Sequence, residues 1–295
     1  MSSTALLSSD TGIMATARPA SARRETDLFL DRSEGRIAFT DTGSGPLVVM
    51  VPSLGDLKEE YRFLAPKFVD AGYRVVTMDL RGHGNSSVGW PEYTSSAIGG
   101  DIIALVRHLG AGPAAIVGTS MGAGGAAWAA AEMPDAISDL VLIGPFVRDV
   151  PTQSLAKDLI QKALVKVAFV GPWATWAWGA YYASLYPTAK PADFAAYKSA
   201  LLANLAEPAR MAATKAMINA SKADVAARLG EVRARTLVVI GSRDPDFADP
   251  AAEAATVANL FRGTHIVIES AGHYPHAEMP DATAPAILAF LKASA

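Results

Sequence analysis

Gly118-Thr119-Ser120-Met121-Gly122 is the stretch of this sequence best equipped to carry a reaction. A short apolar run at 114–117 precedes it and reads as a buried strand. Small residues through Gly125 then lead into an Ala-rich helix. A strand that breaks into Gly-x-Ser-x-Gly and resumes as a helix turns sharply and lifts one serine above the sheet edge. Glycine is required where neighbouring backbone leaves room only for a hydrogen. Ser120 then stands at a helix N-terminus, where free N–H groups and the helix dipole favour developing negative charge. The bland alternative is a glycine-rich turn with a bystander serine.

A serine hydroxyl is a weak nucleophile at neutral pH and needs an adjacent base. The chain has five histidines: His83, His108, His265, His273 and His276. His108 falls in a helical pattern and reads as a surface residue, and His265 falls within a strand. His83 sits in Arg81-Gly82-His83-Gly84, where a packing or hydrogen-bonding role is favoured. His273 follows the last strand, and Gly272 before it gives freedom of approach, which favours it over His276. Loops at the carboxyl ends of strands are where open α/β sheets place ligands.

The base in turn needs a carboxylate to hold its tautomer. The run at 236–240 ends in Gly241-Ser242-Arg243-Asp244-Pro245-Asp246, so Asp244 leads and Asp246 follows. Asp149 is a distant third. The competing role for each is a solvated turn aspartate. Chain order favours Asp244: nucleophile, acid and base each follow a strand, in the order Ser120, Asp244, His273.

Apolar runs at 28–30, 36–40, 47–51, 73–80, 114–117, 140–143, 236–240 and 264–269 read as strands. Helical patterns alternate with most of them, which implies parallel pairing and right-handed crossovers. From about Val147 to Gly230 the rhythm breaks into helix signals punctuated by prolines. That block reads as an insertion between two halves of one sheet.

Composition limits the classes. An apolar content of 51% with 19% charged residues fits a large buried core, not a disordered chain. A net charge of −3 leaves no basic footprint, so nucleic acid is not an expected partner. The chain has no cysteine, which excludes disulfides, thiol catalysis and cysteine-held metal. It also fits a reducing compartment, and the expected location is cytoplasmic. Residues 1–24 lack periodicity and an apolar signal segment and read as a disordered arm, with Met14 as an alternative start. Lys166 and Lys190 bound an uncharged stretch, but Pro172, Pro187 and three tyrosines interrupt it, so no membrane span is expected.

Asp79-Leu80-Arg81-Gly82-His83-Gly84-Asn85-Ser86, Gly118 to Gly122, Gly241 to Asp244 and Ala271-Gly272-His273 together resemble the α/β-hydrolase superfamily. The likeness lies near its serine esterase and cofactor-free haloperoxidase-like members and covers about Thr26 to the C-terminus. It implies an α/β fold with a mostly parallel eight-stranded sheet. The core would be 25–146 and 231–295, with a helical cap at 147–230 inserted after the sixth strand. It also implies an oxyanion hole made by the backbone N–H groups of Leu54 and Met121. Many relatives carry His-Gly after the third strand, where this chain has Pro52-Ser53. Because backbone donors do the work, the hole survives the change, with an altered shape.

The expected activity is hydrolysis of small hydrophobic carboxylic esters through an acyl-enzyme on Ser120, His273 and Asp244, without metal or cofactor. Alternatives on the same residues are C–C bond hydrolysis, perhydrolysis and a hydrolase-like small-molecule receptor. Trp173, Trp176 and, less closely, Tyr181 share one face of an ideal helix, while Trp178 points elsewhere. That face is expected to line an apolar pocket over Ser120. A subunit interface, as in a homodimer, is the other use for such aromatics.

Overall fold

Leu47–Val51 (β3) and Ala114–Thr119 (β5) are buried along their whole length, as unbroken apolar runs must be. They lie side by side in the middle of the sheet, and the sequence pattern places them there. The computed structural model describes residues 27–149, 171 and 173–293. The arm expected at 1–24 and the part of the helical block from 150 to 170 lie outside the described residues.

Eight strands form one sheet in the order β1-β2-β4-β3-β5-β6-β7-β8. The others are β1 (Leu28–Arg32), β2 (Gly35–Thr42), β4 (Arg74–Met78), β6 (Ile137–Ile143), β7 (Arg235–Gly241) and β8 (Thr264–Ile268). Pairings β1·β2 and β2·β4 are antiparallel and all the others are parallel. The parallel strands therefore present their carboxyl ends along one edge, where Ser120, Gly144, Asp244 and the loop after β8 emerge.

Helices cover both faces: α1 (Ala65–Asp70), α2 (Ser95–Leu109) and α3 (Met121–Glu132) come first. Among the described residues, α4 (Ala174–Ser184), α5 (Phe194–Leu205), α6 (Pro208–Asn219) and α7 (Ala223–Ala226) fall between β6 and β7. The chain ends with α8 (Pro250–Leu260), α9 (Pro275–Glu278) and α10 (Pro280–Lys292). One apolar core joins the sheet to α2, α3 and α8, and a second joins it to α1 and α10. The glycines of α3 let it lie close to α2. A Cβ on Gly125 would stand 2.4 Å from Ile98 Cγ2.

A third apolar cluster belongs to the helices between β6 and β7, through Trp178, Tyr182, Tyr186, Phe194, Tyr197 and Leu201. It is not closed on itself. Tyr274, the residue after His273, is buried in it, and Leu54 and Leu57 pack against it. The helical segment thus shares its core with two loops at the strands' carboxyl ends.

Candidate active site

Ser120 links β5 to α3 with φ 54° and ψ −115°. For a residue other than glycine this is strained backbone, typically costing ~1–3 kcal/mol. The surroundings impose it. The Ser120 N–H donates to Ile143 O at 2.9 Å, and its carbonyl accepts from Phe146 N at 3.3 Å. Both flanking glycines are sterically required. A Cβ on Gly118 would stand 2.7 Å from Gly122 O, and one on Gly122 would stand 2.4 Å from Val51 O and Pro52 O. The second approach brings the loop after β3 against the start of α3.

His273 Nδ1 lies 2.8 Å from Asp244 Oδ2 and 3.7 Å from Asp246 Oδ2. Asp244 is thus the direct partner and Asp246 the outer one. Asp149 is elsewhere, accepting from Ser221 Oγ at 3.0 Å. With Nδ1 donating to Asp244, Nε2 is the nitrogen left for chemistry. Burial opposes a charge on His273, but the carboxylates of Asp244 and Asp246 and the hydrogen bond outweigh it and push the imidazole up to about 9. Burial also raises Asp246.

Ser120 and the His273–Asp244 pair border the same short segment. Gly144 N donates to Val239 O at 2.9 Å, and a Cβ on Gly144 would stand 2.8 Å from the His273 ring and 3.3 Å from Asp244 Oδ2. Phe146, whose N–H holds Ser120 O, has its ring 6.1 Å from the imidazole. The end of β6 is therefore the floor that borders both Ser120 and the His273–Asp244 pair.

The loop Pro52–Asp56 stands opposite. Met121 opens α3, and the first N–H groups of a helix have no partner inside it. Among the described residues nothing accepts from the Leu54 N–H. Trp178 lies over Gly55, whose φ is +71° and whose Cβ would stand 2.2 Å from Trp178 Cζ2. Burial, with Glu60 close by, raises the Asp56 carboxyl, which accepts from the Tyr197 hydroxyl and from Leu57 N.

The expected aromatic face is turned the other way. Trp173 is 50% exposed and Trp176 75%, whereas Trp178 and Tyr182 are buried. The stripe Ala174, Trp178, Tyr182 at i, i+4 spacing is the one α4 packs inward. Of the three residues assigned to the pocket, Tyr181 donates its hydroxyl to Asp246 at 2.8 Å.

Two further histidines are buried and held. His83 is buried, with Nδ1 3.0 Å from Arg81 O and Nε2 3.1 Å from Thr214 Oγ1. His276 is buried against Glu60 and Tyr61. Asp244, Asp246 and His273 form a cluster close enough to share a cation, but their arrangement is that of a hydrogen-bonded His–Asp pair.

A family model described as the alpha/beta hydrolase fold matches residues 46–280. The chain belongs to the α/β-hydrolase family. Over 118 residues it is 36% identical to a 2-hydroxy-6-oxononadienedioate/2-hydroxy-6-oxononatrienedioate hydrolase of Comamonas testosteroni, covering 38% of this chain and 41% of that protein. The match spans less than half the length of the curated relatives. Among solved structures, an esterase of Exiguobacterium antarcticum superposes with a TM-score of 0.75 at 19% identity, covering 88% of this chain and 96% of that one. A membrane phospholipase A gives 0.76 at 22% identity, covering 91% and 86%. At such identities the likeness is one of fold.

In this α/β-hydrolase, sequence reasoning missed Trp178, Tyr274, Asp56 and Glu60. A signal was available for the last two. Asp56 and Glu60 follow an unbroken apolar strand at i, i+4 spacing, where a turn shared with a packed helix buries charge. No helix among the described residues is long and apolar enough to cross a membrane.

Proposed function

We propose that this α/β-hydrolase is a serine hydrolase cleaving small hydrophobic carboxylic esters through an acyl-enzyme. The observation that carries the reading is the 2.8 Å His273–Asp244 hydrogen bond standing on the same floor as strained Ser120. His273 Nε2 takes the proton of Ser120 Oγ as that oxygen attacks the ester carbonyl. The oxyanion forms toward the N–H groups of Leu54 and Met121, where each donor is worth about 3 kcal/mol of barrier. His273 then protonates the leaving alcohol and afterwards activates the water that frees the acid. Asp244 holds the tautomer and stabilises the imidazolium. The chemistry uses no metal and no cofactor.

The helices within 147–230 act as the cap. Its contribution to the pocket comes from the face carrying Trp178, which packs on the loop of Leu54 and Gly55. Tyr181, through Asp246, ties the same helix to the base.

A second reading is hydrolysis of a C–C bond in a 2-hydroxy-6-oxo acid, favoured by the name of the Comamonas relative. The deciding experiment compares wild type and Ser120→Ala on aryl esters of graded acyl length, lactones, amides and a 2-hydroxy-6-oxo-dienoate. Ester turnover that vanishes in Ser120→Ala supports the first reading. Turnover of the dienoate alone supports the second. Ester turnover that survives in Ser120→Ala overturns both.

A further inference from the structure

A second histidine–carboxylate pair lies beside the first. Glu60, in the short turn Lys58–Tyr61, is buried, and its Oε1 lies 3.0 Å from Nε2 of fully buried His276. His276 is three residues from His273, which pairs with Asp244, but its ring lies against Glu60 and Tyr61 instead. Its ring stacks on Tyr61, centroids 5.1 Å apart and planes at 28°. Nothing places it near Asp244, and its carboxylate partner has a different task.

Glu60 Oε2 accepts the backbone N–H of Ser53 at 2.7 Å. Ser53 immediately precedes Leu54, so the carboxylate fixes the peptide next to the one whose N–H faces the oxyanion. Ser53 Oγ is held as well, 2.9 Å from the hydroxyl of Tyr274, the neighbour of His273. Tyr61, the next residue after Glu60, completes the set. Its hydroxyl donates to Val51 O at 2.8 Å and lies 2.8 Å from Thr119 Oγ1. Val51 leads into the oxyanion loop, and Thr119 precedes Ser120. One turn of four residues thus grips the loop, the nucleophile's strand and, through His276 and Tyr274, the loop of the base.

We infer that Glu60 is a positioning residue for the oxyanion hole, with His276 as the partner that orients it. This rests on the acyl-enzyme reading of Ser120. A buried carboxylate needs its hydrogen-bond donors, since the charge has no water to turn to. Here the hydrogen-bond donor is the Ser53 N–H, and His276 Nε2 packs 3.0 Å from the other carboxylate oxygen without hydrogen-bond geometry, so both oxygens of Glu60 are placed and so is the peptide it holds. A preformed donor costs no reorganisation when the oxyanion appears. Neither Glu60 nor His276 touches the reacting atoms.

The test is the rate at which a fluorophosphonate labels Ser120, read by intact mass. Ser120 Oγ bonds to phosphorus, fluoride leaves and the serine proton passes to His273. The phosphoryl oxygen draws on the same donors as an ester oxyanion but demands no particular acyl group. Folded Glu60→Ala should label about 100-fold more slowly, the loss typical of one oxyanion donor. With an ester substrate the loss should fall on kcat, with KM within twofold of wild type. Glu60→Gln, which offers an oxygen to Ser53 and an amide to His276, should recover most of the rate.

If Glu60→Ala does not fold, His276→Phe carries the test. It keeps a ring on Tyr61 and removes the nitrogen facing Glu60, and it should slow labelling about tenfold. Wild-type labelling in a folded Glu60→Ala or His276→Phe overturns the proposal, as does a loss seen in KM alone. Wild-type protein that labels at Ser120 yet turns over no ester retires the ester reading and leaves the Glu60 comparison standing. Wild-type protein that does not label overturns both.

Discussion

Gly272 lies directly against Leu185. A Cβ at Gly272 would stand 2.2 Å from Leu185 O, and the His273 N–H donates to that same oxygen at 3.0 Å. The end of helix α4 therefore holds the backbone of His273, and Gly272 is the residue that lets it come close. Pro187 Cδ, 2.3 Å from the same Cβ position, closes the other side. Gly272→Ala must push His273 off its place. A displacement of about 1 Å at a reacting group can cost roughly 100-fold in rate. Steady-state kinetics should show kcat reduced by about that factor, with a lower Tm. A wild-type kcat in this variant would mean that the base tolerates movement the contacts do not allow.

The pH profile follows from the two carboxylates around His273. The imidazolium cannot accept the Ser120 proton, so kcat/KM should rise with pH as His273 deprotonates. Burial opposes its charge, but Asp244 and Asp246 raise it from 6.5 to about 9, which places the rising limb well into the alkaline range. Asp246→Asn should move the limb downward, since Asp246 is 3.7 Å from Nδ1 and not its direct partner. Stability runs the other way. A folded-state value above the unfolded one stabilises fully below about 6.5 and is lost as pH rises through about 9. Activity and stability should therefore change in opposite directions across that window. A limb that stays put in Asp246→Asn would assign the whole shift to Asp244.

His83 should govern part of the acid sensitivity. Burial lowers it from 6.5 to about 4. The unfolded chain then binds a proton that the folded chain refuses, so stability falls as pH drops from about 6.5 toward 4. A depression of that size is worth roughly 3 kcal/mol by the end of the window. Asp79 works against it, since burial raises its carboxyl to about 6. The informative quantity is thus the difference between wild type and His83→Gln in urea unfolding at pH 7 and pH 4.5. The variant should lose less stability than wild type over that interval. An equal loss would place the acid sensitivity elsewhere.

The sheet was legible because its strands are short apolar runs with turn residues between them. Continuous runs such as Leu47–Val51 belong to the doubly covered middle, and the order of Ser120, Asp244 and His273 followed from where strands end. Gly272 before His273 was also a readable signal, and its cause is now the Leu185 carbonyl. The facing of α4 was not legible. Trp173, Trp176, Trp178, Tyr181 and Tyr182 crowd one segment, so residue type cannot tell the inward stripe from the outward one. Only the partners do, namely Gly55 beneath Trp178 and the tyrosine cluster around Tyr182. The contact between Glu60 and His276 was hidden for a related reason: it joins residues far apart in sequence.

Trp178 and Trp176 give that lesson a test on one helix. Trp178 is buried against Gly55 in the loop after β3, while Trp176 is 75% exposed. Removing a buried tryptophan ring leaves a cavity and typically costs ~3–5 kcal/mol. Truncating an exposed side chain away from such contacts usually changes stability by no more than about 0.5 kcal/mol. Trp178→Ala should therefore lower Tm by several degrees, and Trp176→Ala should leave it unchanged. Function should divide in the same way. The space opened beside Gly55 adjoins Leu54, so Trp178→Ala should shift the acyl-length optimum toward longer chains, each added buried CH₂ being worth ~0.8 kcal/mol. Trp178→Phe should fall between wild type and alanine. The measurement is kcat/KM against acyl length for wild type and the three variants. A changed profile in Trp176→Ala with an unchanged one in Trp178→Ala would return the pocket to the outward face of α4.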